Sequence, residues 1–226
     1  MDSGTLLAAY RADIVDEALP YLWSDEEVFR YMDAAYRMFV RLTGGVADFT
    51  SDATVLSVVA GEAVAELHPS IMRIMSANKL SDEQDLKIIN MVDEAVTSSD
   101  DYFQLLRSIR STSTGAVTKM VLGAERDKVR WVNVPAVNDT VNLHVYRLPL
   151  THVTDETHTL DEVKEDHHGY LLDWMKHLAY KKQDAETFDK SKSEESEASF
   201  RTYCAQVKAE WERYKHKTRV VAYGGI

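Results

Sequence analysis

The sequence predicts an α+β fold, because helical patterns occupy its two ends and strand patterns occupy its middle. Apolar residues recur every three or four positions before residue 44 and again after residue 160, as on the buried face of an amphipathic helix. Between residues 117 and 150, three runs rich in β-branched and aromatic residues are separated by turn residues. The C-terminus adds a short β-prone segment that contains two glycines.

Two helices are predicted near the N-terminus. The first covers residues 5–19, with an apolar face that ends before Pro20. The second begins after Ser24, a capping residue, with Glu27 three positions later as in a capping box. The glycine pair 44–45 is typical of a helix end, so the second helix should end there.

Short strands are predicted to follow in residues 55–59, 63–67 and 71–75. The segment 81–84 repeats the capping-box spacing, so residues 86–96 form either a strand followed by a helix or a helix throughout. The runs 117–123, 128–134 and 140–148 predict a half-buried antiparallel sheet. In the last run one face carries Val141, Leu143, Val145 and Arg147, and we interpret the arginine as half of a structural ion pair.

Two long helices are predicted at about 160–183 and 197–216, joined by a polar linker over residues 184–196. The first contains the stretch EDHHGYLLDWMKH (165–177), in which apolar residues form a helical stripe. Its three histidines lack the four-residue spacing of a zinc-protease helix, which favours a packed or surface cluster over a metal site. The alternative left open is a small metal-dependent hydrolase that uses His167, His168 and Asp173.

Composition limits the function further. The 226 residues include 26 Lys and Arg and 37 Asp and Glu, for a net charge of −11. This negative charge disfavours tight binding of nucleic acid. It is consistent either with a role in solubility alone or with a surface along which DNA slides. Cys204 is the single cysteine, so an intramolecular disulfide and an all-cysteine zinc site are excluded. We interpret Cys204 as a small core residue. The acidic N-terminus and the lack of a long apolar run predict cytoplasmic synthesis and no membrane span.

Five segments, in this order, resemble head-to-tail adaptor (connector) proteins of tailed bacteriophages: YLWSDEEVFRYMDAAYRMF, VLSVVAGEAVAELHPSIMRI, LHVYRLPL, HHGYLLDWMKHLAYKKQDA and TRVVAYGGI. The resemblance covers nearly the whole chain. It implies a virion structural protein without catalytic, cofactor-binding or metal-binding residues. Such a protein forms a ring, commonly of twelve subunits, below the portal, where it joins capsid to tail and lines the DNA channel.

The resemblance also implies a domain organisation. An α-helical bundle body would comprise residues 1–52 and 151–217, and an antiparallel β-rich insertion would comprise residues 53–150. Residues 218–226 would form an extended arm that binds the portal, through Thr218, Arg219, Val220, Val221, Ala222, Tyr223, Gly224, Gly225 and Ile226. The helix faces would build the subunit core and the contacts between neighbours, through Trp174, Tyr180, Phe200 and Trp211.

The implied partners are the portal protein, tail or nozzle proteins and other copies of the chain. DNA would pass through the channel without specific binding. The protein would be made in the host bacterial cytoplasm and would end at the head-tail junction of the virion.

The chemistry of the terminal segment agrees with an arm. Residues 219–223 bury too little apolar area to fold alone, but they can add as a strand to a partner. One such arm binds weakly because it loses entropy on docking, and a ring compensates by presenting many arms at once. The alternative is a frayed terminus with no function.

Overall fold

A computed structural model describes residues 1–91, 99–110, 112–183 and 187–215, and it confirms the mixed α+β class. The chain divides into two compact units. The terminal unit comprises Met1–Gly45 and Pro149–Ile226, and the central unit comprises Val46–Leu148. The sequence analysis predicted that the β-rich insertion comprises residues 53–150. The predicted arm, residues 218–226, lies outside the described residues.

The described residues contain five α-helices: α1 (Ser3–Ile14), α2 (Asp25–Thr43), α3 (Ser99–Arg110), α4 (His168–Lys181) and α5 (Lys190–Lys215). In the terminal unit α4 packs against α5, α2 and α1. The core there is formed by fully buried side chains from all four helices, including Leu6, Met32, Leu171, Met175 and Phe200. Within the described part of the chain, none of the helices is long and apolar enough to cross a membrane.

The start and end of α2 agree with the prediction. The Ser24 hydroxyl accepts a hydrogen bond from the Glu27 N–H at 3.3 Å, and Gly44 ends the helix at a φ of 107°, which favours glycine. In a complete capping box the Glu27 carboxylate would accept a hydrogen bond from the Ser24 N–H. The Glu27 carboxylate instead accepts bonds from the Tyr31 hydroxyl at 2.6 Å and from the Lys182 ammonium at 3.0 Å.

The prediction for α1 was too long at its C-terminal end. The helix ends at Ile14, and Val15 adopts a left-handed backbone with a φ of 59°. The physical reason is Asp16, which is buried and accepts a hydrogen bond from the Leu22 N–H at 2.9 Å. This bond requires the chain to leave the helix and turn back, and the apolar residues Leu19 and Leu22 in the turn are exposed.

The two C-terminal helices start at positions that differ from the prediction. Helix α4 starts at His168 after a single 3-10 turn, eight residues later than expected. The preceding Leu160 and Val163 are buried, but they lie in a turn outside the helix. Helix α5 starts at Lys190, inside the predicted linker, which was wrong there. The Asp189 carboxylate accepts a bond from the Lys192 N–H at 3.0 Å and so caps the first turn.

The central unit contains β1 (Val46–Asp48), β2 (Val55–Val58), β3 (Val64–Glu66), β4 (Ile71–Lys79), β5 (Lys87–Asn90), β6 (Thr114–Gly115), β7 (Lys119–Leu122), β8 (Lys128–Val132), β9 (Val134–Pro135) and β10 (Asp139–Arg147). In the first sheet β10 is central, with β4 along one side and β1 and β2 along the other, all antiparallel. The alternation predicted for β10 is confirmed, since Val141, Leu143, Val145 and Arg147 are all buried.

The second sheet has the order β3-β8-β7-β5. Its β5–β7 pair is parallel, as is the small β6–β9 pair, so the expectation of antiparallel pairing was wrong for both. Residues 87–90 are a strand, which excludes a helix throughout 86–96; residues 92–98 lie outside the description. Ser81 does not cap a helix, because its hydroxyl donates to the Asp139 carboxylate at 2.6 Å.

Strand β4 contains two β-bulges opposite β10. The register shifts between the pairs His144–Ser76 and Val145–Ile74, so that Met75 has no cross-strand partner. A second shift leaves Met72 between two paired residues in the same way. Because a bulge redirects side chains, both methionines join the solvent face of the sheet and are 41% and 43% exposed.

Candidate functional site

The three histidines of residues 165–177 have separate partners. His167 Nδ1 lies 2.8 Å from the Tyr203 hydroxyl, and burial lowers the pKa of this imidazole. His168 is buried, and its Nε2 lies 2.9 Å from the carbonyl oxygen of Val163. His177 is also buried, and its Nδ1 lies 3.0 Å from the Ser193 hydroxyl. The three histidines therefore make three separate contacts, each with a different residue of a helix or a loop.

The residues of the hydrolase alternative are not brought together. The Asp173 carboxylate accepts a hydrogen bond from the Ser199 hydroxyl at 2.7 Å, whereas His167 and His168 contact the groups described above. Among the residues that the structure describes, no group of three or more His, Cys, Asp or Glu side chains is placed to hold a metal ion. Cys204 is 1% exposed, and burial raises the pKa of its thiol to about 12, which makes it a poor nucleophile.

The four predicted core and interface residues have different environments. Phe200 is fully buried, and its ring centroid lies 5.1 Å from that of Trp174, which is 6% exposed. Tyr180 is half-buried, with its ring centroid 6.3 Å from that of Trp23. Trp211 is 41% exposed near the end of α5, where the Lys164 ammonium lies 5.9 Å from its ring centroid. Phe200 and Trp174 thus lie in the core, while a contact from Trp211 to a neighbour stays a prediction.

This difference in burial leads to a stability prediction. Replacing Phe200 by alanine should lower the free energy of unfolding by about 3–5 kcal/mol, because it leaves a cavity in the core. The exposed Trp211 is the matched control, and its replacement by alanine should cost about 0.5 kcal/mol. Urea denaturation of the two variants, followed by circular dichroism, measures both values. Equal losses would show that the burial of the two rings does not set their contributions.

The loop between α1 and α2 comprises residues 15–24, and the sequence analysis placed residues 15–19 of it in the first helix. A buried arginine organises it: the Arg11 guanidinium donates to the Asp16 carboxylate at 3.0 Å, to the Trp23 carbonyl at 3.1 Å and to the Asp25 carboxylate. The same guanidinium stacks 3.6 Å from the centroid of the Tyr21 ring. We call this segment the α1–α2 loop, and the network fixes its backbone at several points.

Large apolar side chains project from this fixed loop into solvent. Val15 is 86% exposed, Leu19 is 79% exposed and Leu22 is 50% exposed. The helical period of residues 5–19 continues through Val15 and Ala18, so the pattern concealed the loop.

The central unit contains a buried ion pair, which the sequence predicted for Arg147. Its Nε donates to the Asp48 carboxylate, and the two side chains are 8% and 5% exposed. Burial raises the pKa of Asp48, but bonds from Ser51, the Thr50 N–H and Arg147 lower it more, so the pKa lies well below its ordinary value. The pair links β1 to the C-terminal end of β10, its neighbouring strand in the first sheet.

Comparison with known proteins supports the adaptor resemblance. A family model described as SU10 adaptor protein matches residues 1–221. No curated protein matches the chain.

Proposed function

Because the chain belongs to the SU10 adaptor family, a phage head-to-tail adaptor family, we propose that it forms a ring below the portal and lines the DNA channel. The match over residues 1–221 carries the proposal. Membership makes the protein a structural component of the phage virion that associates with portal and tail proteins. The ring, its position and its twelve subunits are the proposed part.

Each part of the chain has a place in this proposal. The helices of the terminal unit form the body of the ring, and the central unit forms the β-rich insertion. In support of this division, each unit has its own buried core. The terminal core lies around Leu171 and Phe200, and the central core lies around Val141 and Trp131. A body and an insertion with separate cores can each keep their fold while they contact different proteins.

Residues 218–226 act in the proposal as the arm that binds the portal. They begin three positions after Lys215, the last described residue of α5, and they carry the apolar residues Val220, Val221 and Tyr223. A strand added to the portal would satisfy their backbone groups and bury these side chains. The bound arms of one ring then act together, which makes the whole attachment far stronger than one arm.

The negative charge suits the proposed channel. With a net charge of −11 per subunit, a ring of these chains repels the phosphates of DNA on average. Repulsion prevents tight electrostatic contacts that would slow the movement of DNA. The proposal therefore includes no specific DNA-binding residue.

Electron microscopy of the protein mixed with its cognate portal tests the ring. We expect portal particles to gain one additional layer with rotational symmetry, with about twelve subunits if the proposal holds in full. Portal mixed with an unrelated acidic protein of similar size is the control. Portal particles that gain no layer at saturating concentrations, or virions that join heads to tails without this protein, would contradict the proposal.

A further inference from the structure

Val15 combines two unusual properties. It is a β-branched residue in the left-handed backbone region, which such residues strongly disfavour, and its side chain is 86% exposed. Backbone strain of this kind is concentrated at functional sites. The left-handed Val15 also ends α1, with the Val15 N–H donating to the Ala12 carbonyl and the Asp16 N–H to the Arg11 carbonyl, and this helix end leaves the Val15 side chain in solvent.

The rest of the α1–α2 loop has the properties of a binding element. The Arg11–Asp16 network fixes the backbone before any partner arrives, which lowers the entropy lost on binding. Leu19 and Leu22 add two more exposed apolar side chains to the same short loop. Several exposed apolar side chains on a backbone that is already fixed are typical of an interaction site.

A second exposed apolar surface lies on the central unit. The outer sheet face is the solvent side of the first sheet, and its apolar members are Phe49, Val55, Met72 and Met75, with exposures of 69%, 50%, 41% and 43%. The Phe49 ring lies 5.9 Å from that of His144 on β10. The two bulges of β4 bring the methionines onto this side, and methionine adapts its shape to a partner.

The charges beside the two surfaces are opposite. Glu17 lies in the α1–α2 loop, and Arg73 lies next to Met72 on the outer sheet face. Both are exposed, and neither makes an ion pair within the part of the chain that the structure describes. Opposite charges at the edges of two apolar surfaces set their mutual orientation when they meet.

A ring needs two different surfaces on each subunit, because head-to-tail contacts join unlike patches. We propose that the α1–α2 loop of one copy packs on the outer sheet face of the next copy, with Glu17 facing Arg73. This inference rests on the proposed ring. It assigns the contact between neighbours to a loop and a sheet rather than to helix faces.

Charge reversal tests the contact. Glu17→Arg and Arg73→Glu, made separately, should each lower the yield of rings on the portal by about tenfold, because like charges then meet. The double variant should restore the yield to within about threefold of the original chain. A mixture of the two single variants should also restore rings, because an alternating arrangement places opposite charges at every contact. Failure of both rescues, with circular dichroism showing folded variants, overturns the inference.

Cysteine crosslinking provides an independent measurement. Cys204 is buried, so a chain with Leu19→Cys and Met75→Cys has two reactive thiols. Oxidation on the portal should give a ladder of linked subunits on a non-reducing gel. The matched control pairs Leu19→Cys with Val137→Cys, a 70% exposed position in the turn before β10 that is not a member of the outer sheet face. This pair should give no ladder.

The outcomes separate the inference from the proposed function. Rings seen by microscopy without a ladder overturn the loop–sheet contact and leave the ring intact. Loop variants that keep their rings but lose portal binding overturn it too, because the partner of the loop is then the portal. If the original chain gives no ring with or without portal, the proposed function fails together with the inference.

Discussion

Removal of residues 218–226 should weaken binding of the protein to its cognate portal by about 100-fold or more, because the loss is repeated in every subunit of the ring. The shortened chain should keep its fold, since both described cores lie outside the deleted segment. Biolayer interferometry on immobilised portal measures the affinity. Sedimentation velocity checks that the oligomeric state is unchanged.

A full-length variant distinguishes the arm's side chains from its mere presence. Replacing Val220, Val221 and Tyr223 by serine should reproduce most of the loss, because a docked strand gains its affinity from buried apolar groups as well as backbone bonds. Thr218→Ser is the matched control and should change binding by less than about twofold. Unchanged affinity after the deletion would mean that the C-terminal segment is a frayed end.

Replacing Asp48 by asparagine should lower the free energy of unfolding of the central unit by about 3 kcal/mol, because the buried group that accepts from the Arg147 Nε then carries no charge. Removal of the other partner by Arg147→Met should lower the free energy of unfolding by less. In that variant the Asp48 carboxylate keeps hydrogen bonds from the Thr50 N–H at 2.9 Å and the Ser51 N–H at 3.2 Å. Hydrogen exchange of peptides from β10, measured against urea concentration, gives the stability of this unit alone.

The same pair sets a pH dependence. The pKa of Asp48 is lower in the folded chain than its ordinary value of 3.8, so its contribution to stability is fully present above about pH 4 and is lost as pH falls further. The difference in stability between the original chain and Asp48→Asn should therefore shrink below pH 4. Arg126→Met is the control, because that side chain is 95% exposed and its removal should have little effect at any pH. A constant difference between pH 3 and pH 7 would contradict the assigned ionisation.

The helices were predictable where local chemistry alone determines them. Ser24 and Gly44 mark the ends of α2 because both act on the backbone next to them. The start of α5 was missed since its first turns are polar and resemble a linker. Ser193 completes the buried stripe with Phe200, Cys204 and Val207, and it can be buried only because His177 and its carbonyl bond to the serine hydroxyl. Because His177 lies sixteen residues before Ser193, their contact produces no periodic pattern in the sequence.

The strands show the same limit. Alternation along β10 revealed its buried face, since each residue's side is decided by its own position. The parallel pairing of β5 with β7 depends on which strands meet, and no pattern within either strand reports that. The bulges at Met72 and Met75 were likewise invisible, because a bulge exists only relative to the partner strand.

Sequence similarity identified the family but not the surfaces. The aromatic residues predicted for the subunit core and for the contacts between neighbours include Phe200 and Trp174, which are buried in the core. The exposed apolar groups of the proposed contact instead belong to a loop that follows a helical period and to a sheet face that contains two bulges. Both depend on tertiary contacts, of Asp16 in one case and of β10 in the other.

The pairing of Val46 with Arg147 brings the first and last strands of the central unit side by side. Its two ends are therefore neighbours, about 5 Å apart as in any antiparallel pair. A segment with adjoining termini can be excised, circularly permuted or exchanged for an unrelated module without stretching the flanking chain. The central unit therefore has the chain geometry of an exchangeable module within the polypeptide.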